Sequence, residues 1–118
     1  MYDMIENYLK LLLDINVTKN IDIDYRMFTF LVDHKTVMKD RVTYLVKNHY
    51  LPQDDLFIEE AQENLIRATQ CLNLYIKYSL NKKKIEIQNT LHCLNKLKYS
   101  DLIFTDQLIN TLNYQQHI

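Results

Sequence analysis

Apolar side chains recur along most of this chain at intervals of three and four residues, the spacing that lines one face of an α-helix. From Tyr2 to about Val17 the stripe is Ile5, Tyr8, Leu9, Leu12 and Ile15, which predicts a first helix. The polar run TKNIDID, Thr18 to Asp24, ends it, and Asp22 or Asp24 is placed to cap the next helix. That second helix is expected from Tyr25 to Asn48 on Phe28, Leu31, Val32, Met38, Val42, Leu45 and Val46. The cluster Asp33–Thr36, DHKT, interrupts that period, so a kink or split is expected there. The β-branched and aromatic run FTFLV also allows a short strand, but the sequence offers it no partner.

Pro52 followed by Gln53, Asp54 and Asp55 reads as a helix start, because proline is tolerated in a first turn and acids complement the positive end of the helix dipole. The third helix then runs to about Ser79 with Ile58, Ala61, Leu65, Ala68, Leu72, Tyr75, Ile76 and Ser79 on one stripe. Its length would be about 40 Å at 1.5 Å per residue. Asn81 and Lys82–Lys84 make a tight turn before a fourth helix carried by Ile85, Ile87, Leu91, Leu94 and Leu97. So short a link forces the two helices to be antiparallel neighbours. Ser100 or Asp101 is placed to cap a short fifth helix on Leu102, Ile103, Leu108, Ile109 and Leu112, followed by a frayed YQQHI tail. The expectation is all-α: an antiparallel up-and-down four-helix bundle with a short fifth helix at the C-terminus, forming a single domain over residues 1–118.

Composition narrows this picture through two scarcities. The chain has no glycine and one proline, so the glycine-dependent turns of sheet folds and the loops that cradle phosphates are disfavoured. Helix ends survive the lack, since asparagine also adopts the left-handed conformation that closes a helix; Asn16, Asn20, Asn48 and Asn81 lie where such ends are expected. A chain of this length should bury roughly 60–70% of its unfolded surface, enough for a core without covalent staples. The net charge of −1 gives no global attraction to nucleic acid or anionic lipid. No stretch approaches the roughly 18–20 apolar residues of a membrane span, and the start MYDMIENYLKLLLD has acids where a signal peptide has bases, which points to the cytoplasm. Heavy use of Asn, Ile, Lys and Tyr points to an AT-rich genome, as in low-GC bacteria, their phages or large DNA viruses.

Four constellations could carry chemistry. Cys71 and His92–Cys93 flank the Asn81 turn at similar distances, so an antiparallel hairpin could bring them to one height. Yet His92 and Cys93 are adjacent and point about 100° apart, and a zinc site needs three or four converging ligands, so buried free thiols are the expected reading. Glu59, Glu60 and Glu63 line one side of the third helix, but no Glu is followed three residues later by His, as bundle di-metal sites require; a solvated acidic face is expected. Lys82–Lys84, with Lys77 and Lys96 or Lys98, is too narrow a basic footprint for nucleic acid. Nine tyrosines, among them Tyr44, Tyr50, Tyr75, Tyr78 and Tyr99, suit bundle edges and partner interfaces. No catalytic set, cofactor site or metal site is visible, and no small-molecule substrate is indicated.

Between Val46 and Lys98 the chain carries Tyr50 with the acidic helix start, Glu63-Asn64-Leu65, Tyr75 and Tyr78, the Lys82-Lys83 turn, and Thr90-Leu91-His92. On these residues it resembles the YppE-like proteins of low-GC Gram-positive bacteria. The resemblance implies a four-helix bundle in a bacterial cytoplasm, with no established activity and no catalytic residues. The expected function is therefore non-enzymatic, through binding a protein partner or a second copy. The alternative is an immunity or antagonist protein of phage, plasmid or virus, including Bcl-2-like bundles that hold a partner helix in a groove.

Overall fold

A computed structural model describes residues 2–14 and 25–116. They form four helices, α1 (Tyr2–Asp14), α2 (Arg26–Lys47), α3 (Leu56–Asn81) and α4 (Lys84–Gln116), with no strand among the described residues. The all-α four-helix architecture is as expected. Helix α3 packs on both α2 and α4, and α1 packs on α4. Successive helices run in opposite directions, giving a rod of 60 × 19 × 18 Å.

The apolar faces gather into two clusters, one at each end of the rod. Near the α3–α4 turn, Ile5, Leu9 and Leu12 of α1 pack with Phe28, Leu31, Ala68, Cys71, Tyr75, Ile87, Leu94 and Leu97, so all four helices contribute. The other cluster, Val42, Val46, Leu51, Phe57, Ala61, Phe104 and Leu108, draws only on α2, α3, α4 and the α2–α3 link. Helix α1, at 13 residues, is half the length of α3 and covers one end only. The molecule is thus a four-helix bundle at one end and a three-helix bundle at the other.

Between the clusters lies a polar layer, and it accounts for two departures from the expected elements. Helix α2 is unbroken through Asp33–Thr36, not split, and the FTFLV run is helical. Asp33, His34 and Thr36 reach solvent, Thr36 Oγ1 donates to the Val32 carbonyl at 2.9 Å, and Lys35 turns inward to an acid on α4. Helix α4 likewise continues through Ser100 and Asp101, so there is no separate fifth helix. Those two residues cap nothing: Ser100 donates to Asn64 of α3 at 2.8 Å, and Asp101 accepts from Lys35 and Tyr2.

The helix ends also differ in detail. Helix α2 closes with a Schellman motif: His49 N–H donates to Val46 at 3.2 Å, Tyr50 N–H to Leu45 at 2.9 Å, and His49 is left-handed at φ 63°. At the end of α3 it is Lys82 that is left-handed, at φ 57°. In both cases the expected asparagine sits one position earlier and acts through its side chain instead. Asn48 Nδ2 donates to Tyr44 at 2.8 Å, and Asn81 Oδ1 accepts from Lys83 N–H at 2.9 Å. Asn16, Asn20, Ile15 and the expected caps Asp22 and Asp24 lie outside the described residues, as do the last two residues of the tail.

Helix α3 starts at Leu56, four positions after Pro52. Leu51 is buried in the three-helix cluster, and Gln53 Nε2 donates back to the Val46 carbonyl of α2, which holds this segment against α2 before α3 can begin. The buried stripe of α3 is Phe57, Ala61, Asn64, Ala68, Cys71, Tyr75 and Tyr78, rotated from the expected one; Ile58, Leu65 and Leu72 flank it and Ile76 is exposed. A helix packed on two neighbours needs a wide apolar face, and its centre falls between its two flanks.

Candidate functional site

The sequence candidates separate once placed in the fold. Cys71 is buried on α3 and Cys93 half-buried on α4, with their sulfurs 3.1 Å apart. The Cys71 thiol donates to Cys93, and Lys96 and Arg67 add positive charge, so Cys93 is pulled down to about 7 while the same contact and burial push Cys71 up. Cys93 is therefore the thiol that ionises first. His92 is exposed and takes no part, in line with its 100° offset on the helix. Among the described residues no three His, Cys, Asp or Glu side chains converge as metal ligands would.

Glu59 and Glu63 are exposed and Glu60 half-buried, with Glu63 reaching Arg67 at 3.7 Å along the same helix. Lys82–Lys84 are exposed at the bundle tip, with Lys82 Nζ lying 5.7 Å from the Tyr78 ring centre. The tyrosines divide by role. Tyr75 is fully buried, stacked on Phe28 at 4.5 Å and within hydrogen-bond distance of the Tyr8 hydroxyl at 3.1 Å, while Tyr44, Tyr50 and Tyr99 are exposed.

The polar layer is internally satisfied. Lys35 Nζ lies 2.6 Å from Asp101 Oδ2, Tyr2 donates to the same oxygen at 2.8 Å, and Arg67 donates to Ser100 at 2.9 Å. Burial and the Asp101 charge both push the Tyr2 phenol upward, so it stays a donor. These groups bond to one another, and Arg67 and Ser100 also line a surface hollow of about 310 Å³.

The feature that sequence periodicity missed lies on the outer side of α2. Phe30, Val37 and Tyr44 recur every seventh residue and are 62%, 46% and 60% exposed. Met4 of α1 and Met27 join Phe30 and Val37 around a hollow of about 460 Å³, edged by Asp33, His34 and Arg41. A second hollow of about 420 Å³ continues along the helix between Val37, Asp40, Arg41, Tyr44 and Leu45. Burial against the first hollow, with the Lys35 charge beside it, lowers His34 from its ordinary value, so it is neutral at pH 7. Helix α2 is thus apolar on two sides: Phe28, Leu31, Val42 and Val46 face the core, and Phe30, Val37 and Tyr44 face outward.

No protein-family model, curated protein or solved structure matches this chain. No described helix is long and apolar enough to cross a membrane.

Proposed function

We propose that this chain is a non-enzymatic binding protein, and that the outer face of α2 is the surface with which it holds another protein. The observation that carries this reading is the row Phe30, Val37 and Tyr44, three large apolar side chains left in water along one helix. Scattered apolar residues are ordinary on a protein surface, but a continuous row beside two hollows and edged by charge is the arrangement of an interface centre and its rim. Lys35, Tyr2, Asp101, Arg67 and Ser100 bond to one another inside the bundle, and the first hollow, although edged by Asp33, His34 and Arg41, has no Ser, Thr or Cys nucleophile among its lining residues.

Two attendant expectations belong to the same reading. The cytoplasm is supported by the two cysteines being free thiols. Kinship with the YppE-like bundles is supported by the α3–α4 hairpin turning at Lys82-Lys83. The viral Bcl-2-like alternative is less well supported, because each helix keeps exposed apolar residues and none is enclosed by the others.

The test is site-specific photo-cross-linking in cells that naturally produce the chain. A photoreactive residue at Val37 is expected to give a discrete adduct, and one at exposed Asn89 on α4 to give none. Absence of adducts from Val37, or equal adducts from Asn89, would overturn the reading.

A further inference from the structure

The two edges of the α2 face differ in charge: one carries Asp33 and Asp40, the other the Arg41 cation and a neutral His34. At about 100° per residue, Phe30, Val37 and Tyr44 lie within about 20° of one line along the helix. Asp33 and Asp40 fall on one side of that line, by about 40–60°, and His34 and Arg41 fall on the other side by similar angles. All of these residues line the same two hollows. The face is an apolar ridge with an acidic edge and a basic edge.

These charges are not spent on one another. No opposite charge stands three or four positions from Asp33, Asp40 or Arg41 on α2, and none of the three forms an ion pair among the described residues. An edge of unpaired acids beside an edge that offers the unpaired Arg41 cation and the His34 ring N–H is complementary to a copy of itself. We infer that the outer face of α2 binds a second copy of this chain, with the two α2 helices parallel about a twofold axis running along them.

Symmetry decides between the two arrangements a twofold dimer allows. With the axis parallel to the helices, the acidic edge of one copy lies over the basic edge of the other. Asp33 then meets the partner's His34, whose ring N–H is a donor for the carboxylate, and Asp40 meets the partner's Arg41 as an ion pair, each contact occurring twice. Phe30, Val37 and Tyr44 each meet their own counterpart, in layers one heptad apart, as in a parallel helix pair. With the axis perpendicular, acids lie over acids, whose like charges repel, and Arg41 lies over His34 and gains no carboxylate. The ridge is one helix wide, so the dimer is a weak one, at the small end of specific interfaces.

The inference rests on the docking reading of α2 but can fail without it. The test is sedimentation equilibrium of the full chain at neutral pH and low salt, from about 5 to about 500 µM, the range over which a small interface dissociates. The mass is expected to rise from monomer to dimer. Val37→Glu, which places a charge at the centre of the ridge, is expected to leave only monomer. Asp40→Arg puts base on base in the parallel pair and is expected to weaken it about tenfold or more; the exchange Asp40→Arg with Arg41→Asp restores the pairing to within about threefold of the original. All the substituted side chains reach solvent, and far-ultraviolet circular dichroism checks that each variant is folded.

Tighter association of Asp40→Arg would overturn the parallel arrangement, since only antiparallel helices would set the new guanidinium over the partner's Asp33. A monomer at every concentration, with Val37 still giving a cross-linked adduct of a mass other than twice the chain, would overturn self-association and leave the docking reading standing. A monomer with no adduct from Val37 would overturn both.

Discussion

Lys35 of α2 donates to Asp101 of α4 across 2.6 Å although the lysine is only 2% exposed. The pair joins helices 66 positions apart in sequence at the height where the four-helix end gives way to the three-helix end. A buried ion pair stabilises little over an apolar replacement, but losing one partner strands the other charge. Lys35→Ala is expected to lower stability by about 3 kcal/mol in urea unfolding. Lys35→Met with Asp101→Leu is expected to recover more than half of that loss, because no buried charge is then left alone.

This layer also marks where the sequence stops being readable. The helices near the ends of the rod follow from period alone, since Ile5, Leu9, Leu31, Val42, Leu94 and Leu97 obey it and are buried. At mid-height, DHKT and Ser100-Asp101 look like local breaks, because period and capping rules see only neighbours along the chain. The partners that make these residues compatible with unbroken helices are on other helices. The outer α2 ridge escaped for another reason: a helix with two apolar sides offers two overlapping periods, and the core-facing one fits the bundle and hides the other. Nothing in local sequence shows which side is covered.

The chain closes two helices without glycine, at a conformational cost. His49 and Lys82 hold left-handed φ angles of 63° and 57°, where an L-residue with a Cβ is disfavoured by about 1–2 kcal/mol. Part of that cost is offset in a glycine variant by the greater freedom it gives the unfolded chain. His49→Gly and Lys82→Gly are each expected to raise stability by about 0.5–1 kcal/mol, read as a higher melting temperature. Asn48→Gly, one position away from the left-handed residue, is expected to lower it, since it removes the 2.8 Å side-chain bond to Tyr44.

Tyr75 sits at the centre of an aromatic group, stacked on Phe28 and edge-on to Tyr25. Its hydroxyl contact with Tyr8 ties α1 to α3 in the one end that has four helices. Tyr75→Ala is expected to cost about 3–5 kcal/mol by opening a cavity among these rings. Tyr8→Phe is expected to cost only about 1 kcal/mol, the net value of one hydrogen bond. A double-mutant cycle of Tyr8→Phe and Tyr75→Phe should give a coupling of about 1 kcal/mol by urea unfolding, and none would mean the hydroxyls do not interact.

Cys93, drawn down to about 7, is expected to be the first of the two thiols to react. Alkylation by iodoacetamide proceeds through the thiolate, so its rate at Cys93 should climb between about pH 6 and pH 8, below the range of an ordinary cysteine near 8.5. Cys71 should stay unreacted until the protein unfolds, because it is buried and held protonated. Cys71→Ala removes the donor to Cys93 and should move the Cys93 midpoint upward. Mass spectrometry of the alkylated chain over the pH series checks both the order of reaction and this shift.

Helix α1 should be the first element to open. Its 13 residues are near the lower limit at which an isolated helix persists, and its packing is mainly on α4. Polar ties hold its first turn: Tyr2 to Asp101 at 2.8 Å, and Asp3 to Lys98 at 3.0 Å. The Lys98 hydrogen bond and charge hold Asp3 below the usual carboxylate range. A carboxylate lowered on folding stabilises the folded state above its unfolded pKa, and that contribution is lost as pH falls through the folded value. Native-state amide exchange is therefore expected to protect α1 less than α2, α3 and α4, since local opening takes the least-packed unit first. The gap should widen from neutral pH towards pH 3 once intrinsic exchange rates are corrected for, and Asp3→Asn should remove the part of that widening that Asp3 carries. Equal protection of α1 and α3 at neutral pH would mean that α1 opens only with the whole bundle.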